Sequence, residues 1–366
     1  MAAGSRHVTD SQELDGTVSD AAVRDMVDAL RPTWTVRAIE RSEHGTDFVA
    51  TVAVDTPSGG RRVVLKATTA DLVAPAVARA EPRLLELAAR ETSIPVPDVH
   101  GFRDDHDRLP APFYLLEHVR GETFEGDASA LSERAQRRVI EAAAEHLADL
   151  HGCGPLPAVG TVGVRDGDLA VLDADDHPRY DDGRERLYDD CMEAIDALAD
   201  GGFFPALADD RERFADLTDA LREHVESTVP SLPEPDPPTY CHWDYRYGNL
   251  LVDPDTGATN AVLDWANLSA TDPAGNLASA EYYLLDADDA DDATVAARRE
   301  RFRRAYEAAR TDDWTFTDGV RERMAAHAFG TRLGAMACLP LWHEDATPAE
   351  RDAVESDHRA FVRNRI

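Results

Sequence analysis

No stretch of this chain restricts its fold more than residues 240–265. It reads Tyr240-Cys-His-Trp-Asp-Tyr-Arg-Tyr-Gly-Asn-Leu-Leu-Val252 and, past a turn, Ala261-Val-Leu-Asp-Trp265. The turn, Asp253-Pro-Asp-Thr-Gly257, has the residue types that reverse a chain. The apolar runs on either side are therefore expected to pair as antiparallel strands. Asp244 and Asn249 precede the first run and Asp264 follows the second, so pairing sets Asn249 beside Asp264. An amide oxygen and a carboxylate are hard donors that suit Mg²⁺, an ion that also keeps waters and phosphate oxygens. Asp244 would stand near the metal without binding it. That is the position of a group that accepts a proton from an attacking hydroxyl.

A second constraint is a single residue. Lys66 is the only lysine in 366 residues; the other 37 of the 38 basic residues are arginine. It closes an apolar, β-branched run, Arg62-Val-Val-Leu-Lys66, as a strand does when it delivers one ammonium into a cleft. Lysine is a compact point charge suited to a phosphate oxygen, whereas arginine is a wide planar fork. A chance survivor at a strand end is the competing reading, and the downstream motifs tip the balance.

Charge sets the partners. The 71 acidic residues against 38 basic ones give a formal −33, and aspartate supplies 46 of the acids. Such a charge repels itself in dilute buffer, and a Debye length of roughly 3 Å at 1 M salt removes most of that repulsion. Acids spread along the whole chain, with almost no lysine, favour a halophilic, cytoplasmic protein over an acidic protein that binds basic partners. Nucleic acid is not expected as a partner. Neither is a membrane: no apolar stretch approaches the ~20 residues that span a bilayer, and the polar start MAAGSRHVTDSQELDG has no signal-peptide core. Cys153, Cys191, Cys241 and Cys338 lie far apart without metal-type spacing and read as reduced thiols. Oligomeric state is not legible.

Residues 1–16 are expected to be disordered and 18–30 helical. Short β runs follow at 34–36, 48–54 and 62–66, the last two joined by the turn Pro57-Ser-Gly-Gly60. A helix is expected over 71–91 and a strand over 113–119. Beyond Gly121 helical spacing dominates, at 130–151, 183–200, 205–227, 277–285, 293–310, 318–340 and 348–364. The proline-rich connector at 231–238 and the 240–265 block interrupt it. The pattern predicts an α+β chain, with a small β-rich lobe at 17–119 and a larger, mainly helical lobe at 120–366. The run Asp286-Ala-Asp-Asp-Ala-Asp-Asp292 lacks the glycine and terminal glutamate of a calcium loop, and reads as a solvated acidic loop.

The block His242-Trp243-Asp244, followed by Asn249 and then Leu263-Asp264-Trp265, resembles the catalytic segment of the aminoglycoside phosphotransferase (phosphotransferase enzyme) family. The resemblance runs from about residue 34 to 285 and implies a two-lobed, protein-kinase-like fold with ATP in the cleft. It implies that Asp244 is the catalytic base and that Asn249 and Asp264 hold Mg²⁺. His242 would orient the loop. Leu150-His151 matches a Leu-His at the end of a long family helix. Lys66 is similar to the strand lysine on the α/β-phosphates, and Glu81 to the helix glutamate that pairs with it. Glu117-His118-Val119 fits the hinge whose backbone holds adenine, and Gly45 is the one glycine of the phosphate-covering loop 43–48. Three departures stand out: Trp243 replaces a frequent glycine, that loop has a single glycine, and Asn276 stands where an aspartate is common. Individually each residue has a bland reading, as core histidine, turn aspartate or surface ion pair; their shared order in the chain is what argues for the family.

The activity implied is ATP- and Mg²⁺-dependent transfer of the γ-phosphate to a hydroxyl of a small molecule. A protein acceptor is disfavoured because no activation segment with an Ala-Pro-Glu end is present. The acceptor itself stays open among aminoglycosides, sugars, amino alcohols and other metabolite alcohols, since the acidity of the chain is general. The competing class is a catalytically silent nucleotide-binding regulator, against which Asp244, Asn249 and Asp264 argue.

Overall fold

The computed structural model describes residues 18–42, 47–69, 73–266, 268–285 and 291–366. The expected disorder at 1–16, the loop glycine Gly45 and most of the acidic run at 286–292 lie outside the described residues.

The N-terminal part is one antiparallel sheet. Its strands are β1 (Thr35–Arg41), β2 (Phe48–Thr56), β3 (Gly59–Ala67), β4 (Val99–Arg103) and β5 (Phe113–Glu117), in the order β1-β2-β3-β5-β4. Alternation along β3 sends Val63, Leu65 and Ala67 to one face. There they pack with Val52, Leu115 and with Val23, Met26 and Val27 of α1 (Asp20–Leu30). Val64 and Lys66 point to the other face, toward α2 (Pro75–Ala78) and α3 (Ala80–Glu91). The single helix expected over 71–91 is thus two. Pro82 has no N–H to give the carbonyl of Ala78, so the first helix stops there and Pro82 fits the first turn of the second.

The C-terminal part is mainly helical: α4 (Glu133–Gly152), α5 (Gly183–Leu198), α6 (Thr218–Thr228), α7 (Pro273–Tyr283), α8 (Asp292–Ala309), α9 (Asp318–Trp342) and α10 (Pro348–Arg363). α6 is shorter than the span expected over 205–227. Asp209 and Asp210 accept backbone N–H bonds from Asp210 and Glu212, and Arg213 is drawn to Asp209, Asp352 and Glu355, so that stretch turns instead of coiling. A small sheet also forms, two of whose strands lie between the expected helices at 130–151 and 183–200. β6 (Gly160–Arg165), β7 (Asp168–Val171), β8 (Thr239–Cys241) and β11 (Ser269–Thr271) associate in the order β7-β6-β11-β8. Its β6–β7 turn is Asp166-Gly167, both at positive φ, a hairpin signal available in the sequence. The expected hairpin forms from β9 (Leu250–Val252) and β10 (Thr259–Val262). The whole is a two-lobed, protein-kinase-like α+β fold.

The two parts share a core. Leu84 and Leu85 of α3 and Leu116 of β5 join Leu147, Tyr245, Leu250 and Trp265 in one buried cluster. Backbone bonds tie them as well: Val262 N–H donates to Pro95 O at 2.8 Å, and Glu122 and Val252 exchange bonds of 2.9 Å. Gly121 lies against that strap. Its φ is +151°, and a Cβ there would come within 2.9 Å of Leu251.

Candidate active site

β3 and α3 build the upper wall. Lys66 Nζ donates to both carboxylate oxygens of Glu81, at 2.8 and 2.7 Å, and Glu81 is buried in the first turn of α3. Tyr114, the cross-strand neighbour of Lys66 on β5, donates its O–H to the same carboxylate. Burial works against the lysine charge, but Glu81 and then Asp264 and Asp47 outweigh it and raise the Lys66 pKa. The ammonium is therefore firmly charged. Burial, then the Glu81 carboxylate, pushes the Tyr114 phenol well above its usual range, which keeps it a donor.

The lower wall is the 240–265 block. β8 leads into His242, whose ring is buried and bonded through Nε2 to Leu263 O at 3.0 Å. Asn276 clamps its backbone, accepting from His242 N–H at 3.0 Å and donating to His242 O at 2.8 Å. Asn276 Oδ1 also meets His151 Nε2 at 3.1 Å, and His151 Nδ1 meets the Tyr306 hydroxyl at 2.7 Å. An amide oxygen only accepts, so Nε2 carries the proton and Nδ1 accepts from tyrosine. The uncharged Asn276 thus does the backbone work without a carboxylate.

Asp244 is held on both oxygens. Arg246 Nε donates to Oδ1 at 2.8 Å, and Asn249 Nδ2 donates to Oδ2 at 2.8 Å and to the Asp244 carbonyl at 2.9 Å. Arg246 reaches on to Glu125 at 2.9 Å, and Glu125 accepts the Gly248 N–H at 2.7 Å. With its nitrogen facing a carboxylate, Asn249 turns its Oδ1 the other way, where no described residue bonds it. The β9–β10 register continues past the strands: Leu263 N–H donates to Asn249 O at 2.8 Å, which sets Asp264 next to Asn249. Asp264 itself has φ +59°, a left-handed conformation uncommon outside glycine. Its charge is felt by Lys66 and by Tyr114. Lys66, Glu81, Asp264, Asn249 and Asp244 therefore converge from the two lobes.

At the hinge, Glu117 N–H already donates to Asp98 O at 2.8 Å. Neither backbone group of Val119 meets a partner among the described residues. Arg246, Glu125 and Tyr114 were not singled out from sequence. Arg246 was visible as a charge two residues after Asp244; Glu125 and Tyr114 gave no local signal.

A sheet-and-helix lobe carrying an ion-paired strand lysine, set over a loop with Asp244 and Asn249 and a following Asp264, defines the class of kinase-like phosphotransferases. Within that class the chain belongs to the phosphotransferase enzyme family, whose model matches residues 38–320. Among solved structures, a proposed aminoglycoside phosphotransferase from Ralstonia eutropha JMP134 superposes with a TM-score of 0.59 at 17% identity, covering 94% of this chain and 96% of that one. A microcompartment-associated aminopropanol kinase gives 0.52 at 16%, covering 94% and 95%. An ethanolamine kinase from Plasmodium vivax gives 0.51 at 11%, covering 93% and 85%. At these identities the likeness is one of fold. No curated protein matches significantly.

Proposed function

We propose that the protein transfers the γ-phosphate of ATP, with Mg²⁺, to a hydroxyl of a small molecule. The observation that carries the reading is the convergence of the Lys66–Glu81 pair with Asp264 across the cleft. Glu81 and Tyr114 hold Lys66 in place to meet the α/β-phosphates. The free backbone groups of Val119 and the carbonyl of Glu117 suit the adenine edge, with residues 17–119 and 120–366 acting as the two lobes. Asp244, fixed by Arg246 and Asn249, orients the acceptor hydroxyl and takes its proton.

The donor set fits Mg²⁺. One unpartnered amide oxygen (Asn249) and one carboxylate (Asp264) leave most positions to phosphate and water, as Mg²⁺ requires. Among the described residues no group of three or more His, Cys, Asp or Glu forms a metal cage of another type. When bound, the ion would supply neutralisation of charge on the phosphates.

The acceptor panel starts with amino alcohols, after the names of the aminopropanol and ethanolamine kinases, and extends to sugars and aminoglycosides. No helix among the described residues is long and apolar enough to cross a membrane, and we place the enzyme in the cytoplasm, where ATP is available. The test is phosphorylation of that panel in molar KCl, with and without Mg²⁺. Turnover that requires Mg²⁺ and ATP supports the reading. Nucleotide binding without turnover on any acceptor would make this a silent regulator.

A further inference from the structure

We propose a second ligand site, on the outer face of the hinge, that takes a phosphorylated small polyol. A concavity of about 600 Å³ opens where the β2–β3 turn overhangs the start of β4 and the hinge. Small-molecule sites span roughly 300–1,000 Å³. Of the residues assigned above to the nucleotide, Glu117 alone also lines it. His118 and Arg120 line it, whereas Val119 between them does not, so the two faces of the hinge look into different spaces. Lys66, Asp244 and Asp264 take no part in its walls.

The chemistry of the lining names the ligand class. Three arginines, Arg61, Arg62 and Arg120, line one space in a chain of formal charge −33. Arg62 is tied to Glu40 at 2.8 Å. Arg61 and Arg120 have no carboxylate partner among the described residues. Arg61 rests over the Trp34 ring at 5.6 Å, and His100 meets the same ring edge-on at 5.4 Å, which gives that guanidinium a platform. Guanidinium forks bind phosphate oxygens. Asp98 and Glu117 also line the concavity. Their carboxylates would repel a bare polyanion and accept hydroxyl groups. Phosphate on Arg61 and Arg120, with hydroxyls on Asp98 and Glu117, satisfies both kinds of wall. In molar salt the long-range repulsion from the rest of the chain is screened within roughly 3 Å, while direct hydrogen bonds remain.

The test is calorimetric titration of the full chain in molar KCl with ribose 5-phosphate, and with inorganic phosphate and ribose as its two halves. Ribose 5-phosphate should bind at least about tenfold tighter than either half, with and without saturating Mg-ADP. The double variant Arg61→Ser/Arg120→Ser lies outside the cleft. It should lose about tenfold or more in that affinity while keeping its melting temperature and its affinity for Mg-ADP. The inference is overturned if ribose 5-phosphate does not bind, if the double variant binds it equally well, or if Mg-ADP displaces it. Phosphorylation of the acceptor panel is a separate readout, so failure of the proposed activity would leave this result standing.

Discussion

At the scale of single residues, Asp244 and Asp264 are distinguished by what already touches them. Both Asp244 oxygens accept hydrogen bonds from Arg246 and Asn249, so the carboxylate is aimed before any acceptor arrives. Each oxygen keeps a second acceptor site, so an entering hydroxyl can bond without displacing either donor. Asn249 is anchored twice to Asp244, while Arg246 has Glu125 to retain it if it swings aside. Asp264, in contrast, is positioned by a left-handed backbone and faces the lysine wall. The two substitutions should therefore separate. Asp244→Asn keeps the shape and the Arg246 contact but is a poor base, so turnover should fall by roughly 10²–10⁴-fold with ATP affinity nearly unchanged. Asp264→Ala should weaken Mg-ATP binding itself and flatten the Mg²⁺ dependence. Titration of both variants with Mg-ATP checks this; equal loss of nucleotide affinity in Asp244→Asn would make Asp244 a metal or folding residue.

At the scale of elements, the strap from β9 and β10 to the hinge depends on one glycine. At Gly121 the φ of +151° and the approach of Leu251 leave no room for a methyl group. Gly121→Ala should cost about 1–3 kcal/mol. Gly126→Ala is the control: its φ is +70°, but nothing lies within 4 Å of the new methyl, and the loss should be smaller. Melting temperatures of the pair decide, and equal losses would show that the close approach is not the cause. Helix α4 brings a different sensitivity. Burial lowers His146 to about 4 and His151 to about 3, and it lowers His358 on α10 to about 4. All three stay neutral when folded but take up a proton near pH 6.5 when unfolded. Stability is therefore intact above that pH and falls as the pH drops toward 4, by up to about 1.4 kcal/mol per pH unit for each ring. Thermal unfolding at fixed KCl should show a falling melting temperature from pH 7 to 5; a flat profile would refute neutral burial. The elements also show where sequence reading reached and where it stopped. Lys66, Asn249 and Asp264 could be picked out as candidates because each abuts an apolar run, and Asp244 by its spacing of five from Asn249. Glu125 and Tyr114 reach the site through tertiary pairing, and residues 205–214 turn around Arg213, whose partners Asp352 and Glu355 lie far along the chain, neither of which leaves a periodic trace.

At the scale of the whole molecule, charge and lysine content act together. With a formal −33, added KCl should raise the melting temperature into the molar range by shortening the range of repulsion. A melting temperature constant between about 0.1 and 3 M salt would refute a halophilic design. The near-absence of lysine has a further result. A protease that cuts after lysine finds one susceptible bond in the entire polymer, Lys66–Ala67. That bond lies within β3, paired to β2 on one side and to β5 on the other, and Ala67 is buried. Cleavage needs the end of β3 to detach from both neighbours, so a single scission becomes a clock for the opening of that strand end. Digestion should be slow in molar KCl and quicken as salt is withdrawn, releasing two fragments and no others. Scission at one rate in all salts would mean that this strand opens independently of the charge that surrounds it.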